Sequence, residues 1–373
     1  MAKYRGENKA VKLVDLVNLI HPTPTQGNAK ALQDLVDGKL RNTQTWEAKL
    51  TQTGQSKGAD NKKDAWEDLI LQEKLGYMAL LRNLRNILQA NISDAALDKA
   101  LAYLTNPKAV ANSKQFPFRF LSAYDEISKI KPTSAAKKML TFEKDGISKT
   151  RIDKVLKAIE IALNTSIANL PLLDGETVIL TDNSGSMRGD SGGSSAISAM
   201  SKRTSADIAN LFATMYWSRA KNTLIGLFGD RLAMPTLDRS AGLFTNFYNL
   251  HKAGGTVGYG TETGIFTMFE RLLAEKRKPA RIVIFSDMQI GKGCTWYDTK
   301  GRRGDDFNKL WESYRAFHPD IKVYSVDLRG YGTTVFKGNV FKMAGWSDKI
   351  FNIMEMLEQD RNALISAIDA VEI

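Results

Sequence analysis

The spacing of apolar positions divides the chain near residue 172. Upstream of that point apolar residues recur at helical intervals, and no stretch alternates in the manner of a strand. From Asn8 to Ile20, the residues Val11, Leu13, Val14, Leu16, Val17, Leu19 and Ile20 crowd more than one face, which predicts a largely buried helix. It stops at His21-Pro22-Thr23-Pro24, because the residue before each proline is pushed out of helical geometry. Further helices are predicted over 29–40, a long one over 64–89, then 94–104, 118–130, 134–142 and 149–168. Paired helices with short turns predict a superhelical stack rather than a bundle.

Downstream of 173 the texture changes to strands alternating with helices. Short β-branched and apolar runs predict strands at 177–181, 223–228, 280–286 and 321–326, with an edge strand near 231–236. Helices are predicted at 205–220, 242–251, 264–276, 305–317 and 348–371. Such alternation requires a mostly parallel sheet covered on both faces. The chain therefore reads as α + α/β: an N-terminal all-α superhelix over 1–172, then a doubly wound, Rossmann-like domain over 173–373.

The first of these strands runs into Asp182-Asn183-Ser184-Gly185-Ser186. A carboxylate and two hydroxyls at i, i+2 and i+4 on a tight loop can face one point. Such hard oxygens suit a small divalent cation, Mg2+ or Mn2+, that keeps several waters. The loop also sits at a strand's C-terminal end, where α/β folds bind ligands. This D-x-S-x-S pattern resembles the metal-ion-dependent adhesion site of a von Willebrand factor A domain. By that resemblance Thr261, in Gly260-Thr261-Glu262-Thr263-Gly264, supplies a third hydroxyl, with Thr256 as the alternative. Asp287, ending the strand IVIFSD, supplies the far carboxylate, and one coordination position is left for an acidic group of a partner. Thr261 is equally placed to cap the helix that follows it. The tripeptide Arg188-Gly189-Asp190 reads as coincidence in a Gly/Ser-rich loop.

Charge adds a partner class. Lysine and arginine total 52 against 41 acidic residues, and the excess is uneven: 27 against 19 over residues 1–174, and 25 against 22 over the rest. A basic excess on one half is the footprint of a nucleic-acid binder, although solubility alone would also produce it. The single cysteine, Cys294, rules out an intramolecular disulfide, and three scattered histidines argue against a histidine metal site. No apolar run is long enough to span a membrane, so no membrane partner is expected, and the charged N-terminus lacks a signal peptide's apolar core. A cytoplasmic location follows. There is no GxxxxGK[ST] or HExxH pattern, and the expected protein is not an enzyme.

Several blocks then carry a specific likeness: LVDLVNLIHPTP, TWEAKLTQTGQ with KKDAWEDLI, KLGYMALLRNLRNIL, PFRFLSAYDEI and ALNTSIANLPLLDGETVILTDNSGSM. Together they resemble the Ro autoantigen family, which joins a HEAT-like helical TROVE domain to a von Willebrand A domain. The resemblance implies a ribonucleoprotein scaffold that binds small structured noncoding RNA of the Y kind and misfolded RNA. The alternative is a metal-dependent protein–protein adhesion module. By the same resemblance His21 matches an RNA-contacting histidine, and Lys3, Tyr4 and Arg5 fall in a basic RNA-contacting helix. A histidine before proline serves equally as a helix C-cap. Lys114 and Arg119 belong to a second basic run with Phe116, Phe118 and Tyr124 interleaved. Arg82 and Arg85 share one face of an apolar helix and so require a carboxylate, carbonyl or phosphate partner. Ro helical domains are longer than this one, so its leading helix is expected to present an apolar edge. Self-association or a capping partner is expected there.

Overall fold

The structure, a computed structural model, describes residues 12–39, 46–47, 50, 59–132, 147–168, 170–189, 195–196, 203–260, 262–290, 304–333, 336, 338, 340–347, 349–360 and 369. The predicted helix 134–142, Cys294 and the last residues of the closing helix lie outside them. The chain packs as two compact units: residues 1–103 with 132–151, and residues 104–131 with 152–373. Among the described residues no helix is long and apolar enough to cross a membrane.

The first unit is helical. Its elements are α1 (Leu13–Ile20), α2 (Ala29–Val36), α3 (Ala59–Leu71), α4 (Tyr77–Gln89) and most of α5 (Asp94–Thr105). Its core is built from Trp66, Leu69 and Ile70 of α3, Leu80, Leu84, Ile87 and Leu88 of α4, and Ile92 and Leu97. Arg151 ties the far end of the unit's chain back by donating to Asn91 Oδ1 at 3.0 Å and lying 3.6 Å from Asp94.

Three expectations need correction here. The long helix over 64–89 is two helices, because the chain turns at Glu73, whose φ of 56° is left-handed. The N–H groups of Glu73 and Lys74 close back on the carbonyls of Ile70 and Leu69, which ends α3, and Gly76 then opens α4 in extended geometry. The first helix is not buried: α1 has no buried residue, and Leu16, Leu19 and Ile20 are exposed. Its apolar residues find no core against α2, whose own buried residues are Leu32 and Leu35. Finally, Arg82 and Arg85 do not sit in an apolar setting, since both lie on the exposed face of α4 while Leu81, Leu84 and Leu88 turn inward. An exposed guanidinium has water, so the desolvation argument for an obligatory partner does not apply to them.

The second unit contains α6 (Pro107–Ser113), α7 (Pro117–Ser128), α8 (Lys149–Ser166) from Ile152 onward, and the sheet domain. The strands are β1 (Thr177–Asp182), β2 (Thr223–Phe228), β3 (Leu232–Ala233), β4 (Arg281–Ser286), β5 (Lys322–Asp327) and β6 (Phe341–Ala344). They form one sheet in the order β3-β2-β1-β4-β5-β6, parallel except for the β2–β3 pair. This is the doubly wound order, whose direction reverses between β1 and β4. The helices between strands are α9 (Gly185–Arg188), α10 (Ser205–Arg219), α11 (Leu243–Gly254), α12 (Glu262–Ala274) and α13 (Gly304–Phe317), and α14 (Lys349–Gln359) follows β6. Every residue of β1 and β4 is buried, as central strands covered on both faces require.

The sequence border at 172 follows the change of texture; compactness cuts the chain elsewhere. In the second unit Arg203 and the Tyr248 hydroxyl both reach the Asp125 carboxylate of α7. Tyr124 packs on Phe244 at 4.1 Å between ring centres. A Cβ on Gly242 would come within 2.2 Å of Glu160 Oε1, so α8 and the start of α11 meet at bare backbone.

The N-terminal ends of the strands are closed by a buried ionic network. Arg281, 2% exposed, donates to both carboxylate oxygens of Glu358 on α14, at 2.6 and 2.9 Å. It also donates to Thr177 Oγ1 at 2.8 Å and to the carbonyl of Asp174. Lys322 and the Tyr324 hydroxyl complete the set around Glu358, at 3.2 and 3.1 Å. Burial works against the Glu358 carboxylate, yet Arg281 and Lys322 outweigh it and hold its pKa below the usual range.

Candidate metal centre and nucleic-acid surface

At the opposite end of the sheet, where the strand order reverses, β1 and β4 deliver Asp182 and Asp287 side by side. Asp182 is completely buried and Asp287 3% exposed. Asp182 Oδ1 accepts the Ser184 N–H at 2.9 Å, and Oδ2 accepts the Ser286 hydroxyl at 2.6 Å. The Ser184 and Ser186 hydroxyls lie 3.3 Å apart on the turn into α9, Ser184 buried and Ser186 exposed. Burial, then the nearby Asp287 charge, pushes the Asp182 carboxyl up to about 7, against the pull of its serine hydrogen bonds.

A sheet end that buries two carboxylates, with no ion pair to either among the described residues, fits a divalent ion. The donors are all oxygens, two carboxylates and two hydroxyls, as Mg2+ or Mn2+ prefers. Among the described residues no cluster of three or more His, Cys, Asp or Glu side chains exists, so a softer metal finds no alternative set. Thr261 lies outside the described residues. Thr256, the alternative hydroxyl, spends its proton on the Ala253 carbonyl at 2.8 Å, capping α11.

Sequence reasoning did not find three supporting groups. Ser286 is the hydroxyl that holds Asp182, and its only signal is a small polar residue ending an apolar strand. Asp230 accepts the N–H groups of Tyr259 and Gly260 at 2.8 and 2.9 Å, which pins the loop leading to Thr261. Gly258 in that loop has φ +91°, and a Cβ there would meet Asp230 Oδ2 at 2.2 Å. Asn210 of α10 donates to Asn183 Oδ1 at 2.8 Å and accepts from Thr181 Oγ1 at 2.9 Å, so the residue between the two candidate ligands cannot turn.

The candidate RNA residues fall in both units and outside the described residues. Lys3, Tyr4 and Arg5 lie outside the described residues. His21 is exposed, has φ 41°, and its N–H closes α1 on the Val17 carbonyl at 3.0 Å, which is the C-cap arrangement. Arg82 and Arg85 lie together on the exposed face of α4. Lys114 and Arg119 are also exposed, in the second unit, and the Arg119 guanidinium lies 5.1 Å from the centre of the Phe118 ring.

Sequence and fold comparisons define the class. Residues 37–161 match the TROVE domain, a span that takes in α3 to α7 and most of α8. The mouse telomerase protein component 1 is 46% identical over 92 residues, and its rat counterpart 41% over 92 residues. Those stretches cover 25% of this chain and only 3% of either relative's length. The crystal structure of the Deinococcus radiodurans Ro protein superposes with a TM-score of 0.54, covering 95% of this chain and 71% of that one at 15% identity. Residues 37–161 therefore carry the TROVE likeness, and the fold of the chain is similar to that of a bacterial Ro protein.

Proposed function

We propose that the protein is an RNA-binding scaffold of the Ro type. It would hold small structured noncoding RNA, of the Y kind or misfolded, chiefly through its helical residues. In this reading the sheet domain is of the von Willebrand A type, and Asp182, Ser184, Ser186, Thr261 and Asp287 hold Mg2+ or Mn2+, which takes an acidic group of a partner. The observation that carries the RNA reading is the TROVE match, supported by the basic excess over residues 1–174. What supports the metal is the buried Asp182–Asp287 pair at the reversal of strand order. The exposed Leu16, Leu19 and Ile20 of α1 support a self-association or capping contact.

The test is binding of small structured RNAs to the whole chain across a salt series. Phosphate contacts release counterions, so affinity should fall steeply with salt. Reversing the charges of Lys3 and Arg5 together with His21→Ala should weaken binding. RNA affinity that is absent at low salt, with Mg2+-dependent capture of an acidic protein segment in its place, would make the adhesion reading the correct one.

A further inference from the structure

An aromatic cluster joins the helical residues of the second unit to the edge of its sheet. Phe116 and Phe118, at the start of α7, stack at 5.7 Å between ring centres with 15° between their planes. Trp346, just past the edge strand β6, closes on both, 5.8 Å from Phe116 and 5.0 Å from Phe118. Phe118 is the buried member and Phe116 stays 41% exposed, so its ring is a shelf and not core. Pro117 at the first turn of α7 fixes the backbone between the two rings.

The chain flanking this shelf is mostly basic. Residues 105–124 contain Lys108, Lys114 and Arg119 and no carboxylate; residues 328–347 contain Arg329, Lys337 and Lys342, with Asp348 the next residue along. Arg119 is exposed and held against the cluster by its cation–π contact with Phe118. Lys114 is exposed two residues before Phe116, at a left-handed φ of 49° that ends α6. The first carboxylate downstream, Asp125, is already occupied by Arg203 and Tyr248.

We infer that Phe116, with Trp346 behind it and Arg119 and Lys114 at its rim, is a stacking platform for unpaired bases of RNA. This inference rests on the RNA-binding reading and names the form of RNA this surface takes. An exposed aromatic face accepts any base whose partner strand is absent, and neighbouring cations take the flanking phosphates. A protein partner would bring its own hydrogen-bonding groups, which this surface of rings and cations answers poorly. A duplex buries its base faces and offers the shelf nothing.

The experiment uses the whole chain and a fluorescein-labelled twelve-nucleotide oligouridine, with a duplex of equal length as the second probe. Phe116→Ala should weaken single-strand binding about tenfold, the scale of one lost stacking contact, and leave duplex binding unchanged. Phe116→Trp should restore it. Arg119→Glu should weaken binding and flatten its salt dependence beyond the charge-matched control Lys221→Glu, which lies in an exposed turn before β2. Equal loss on both probes, equal loss in the Lys221 control, or wild-type affinity in Phe116→Ala would overturn the platform. If wild-type protein binds structured RNA and Phe116→Ala changes nothing, the platform alone fails. If wild type binds no RNA, the functional reading fails with it.

Discussion

The two ends of the one sheet handle buried charge in opposite ways. At the N-terminal ends, Arg281 and Glu358 neutralise each other, and Thr177, Lys322, Tyr324 and a backbone carbonyl complete the set. At the C-terminal ends, Asp182 and Asp287 are buried together, and among the described residues the hydrogen bonds of Asp182 come from hydroxyls and an amide. The first arrangement is complete without help from outside. The second carries a carboxyl pushed up by burial and then by its neighbour's charge, and in the metal-binding reading a cation would relieve both. In that reading one end of the strands serves stability and the other would serve ligand binding, as the crevice at a reversal of strand order would lead one to expect.

That contrast can be broken from either side. The largest effect is expected from Glu358→Ala, which leaves Arg281 buried without its carboxylate. Removing one partner of such a pair costs about 3–5 kcal/mol, measured by urea unfolding, and should leave Mg2+ affinity intact. A loss below about 1 kcal/mol would mean the network is not what closes that end. Asp182→Ala should act the other way round: the fold survives, but the rise in melting temperature on adding Mg2+ or Mn2+ disappears. At a free metal concentration a hundred times Kd that lost rise corresponds to about 2.7 kcal/mol. Calorimetric titration showing no divalent binding to wild type, with or without an acidic ligand, would remove the metal site.

The smallest and sharpest effect is in pH. The Glu358 carboxyl is held below its ordinary value, so its contribution is present above the normal carboxylate range and is lost as acid protonates it. Asp182 is raised from 3.8 to about 7, so in metal-free protein its contribution is complete below about 3.8 and is lost as pH rises through 7. Metal-free stability should therefore carry a downward slope between those values that Asp182→Asn abolishes and saturating Mg2+ reverses. A flat profile in wild type would show that the two carboxylates do not share one desolvated site.

The sheet was largely legible before any coordinates. Thr223–Phe228 appears with its predicted bounds, and Thr177–Asp182, Arg281–Ser286 and Lys322–Asp327 differ from theirs by a residue at one or both ends. Buried parallel strands announce themselves as continuous apolar runs, and little else in the chain imitates one. The strand Phe341–Ala344 gave no such signal, because this edge strand is half-buried on one side and exposed on the other, and FKMA is too short to alternate visibly. The helical half misled where tertiary packing decides. A sequence rich in helix formers over 64–89 conceals a left-handed turn at Glu73, and the apolar density of α1 says nothing about whether a partner surface exists. In the candidate site, Asp182, Ser184 and Ser186 could be read from spacing within one loop. Ser286 and Asp230 could not, since their roles depend on strands that become neighbours only on folding.

The packing of α7 and α8 against the sheet domain has a consequence for heredity. A gene cut at the change of texture near residue 172 would separate Phe244 from Tyr124, Arg203 and Tyr248 from Asp125, and the bare backbone of Gly242 from Glu160. Shuffling at that seam would deliver a sheet domain with an open face where α7 and α8 belong. A transferable sheet domain is therefore expected to carry residues 104–131 and the chain from 152 onward with it, which includes the end of the TROVE match.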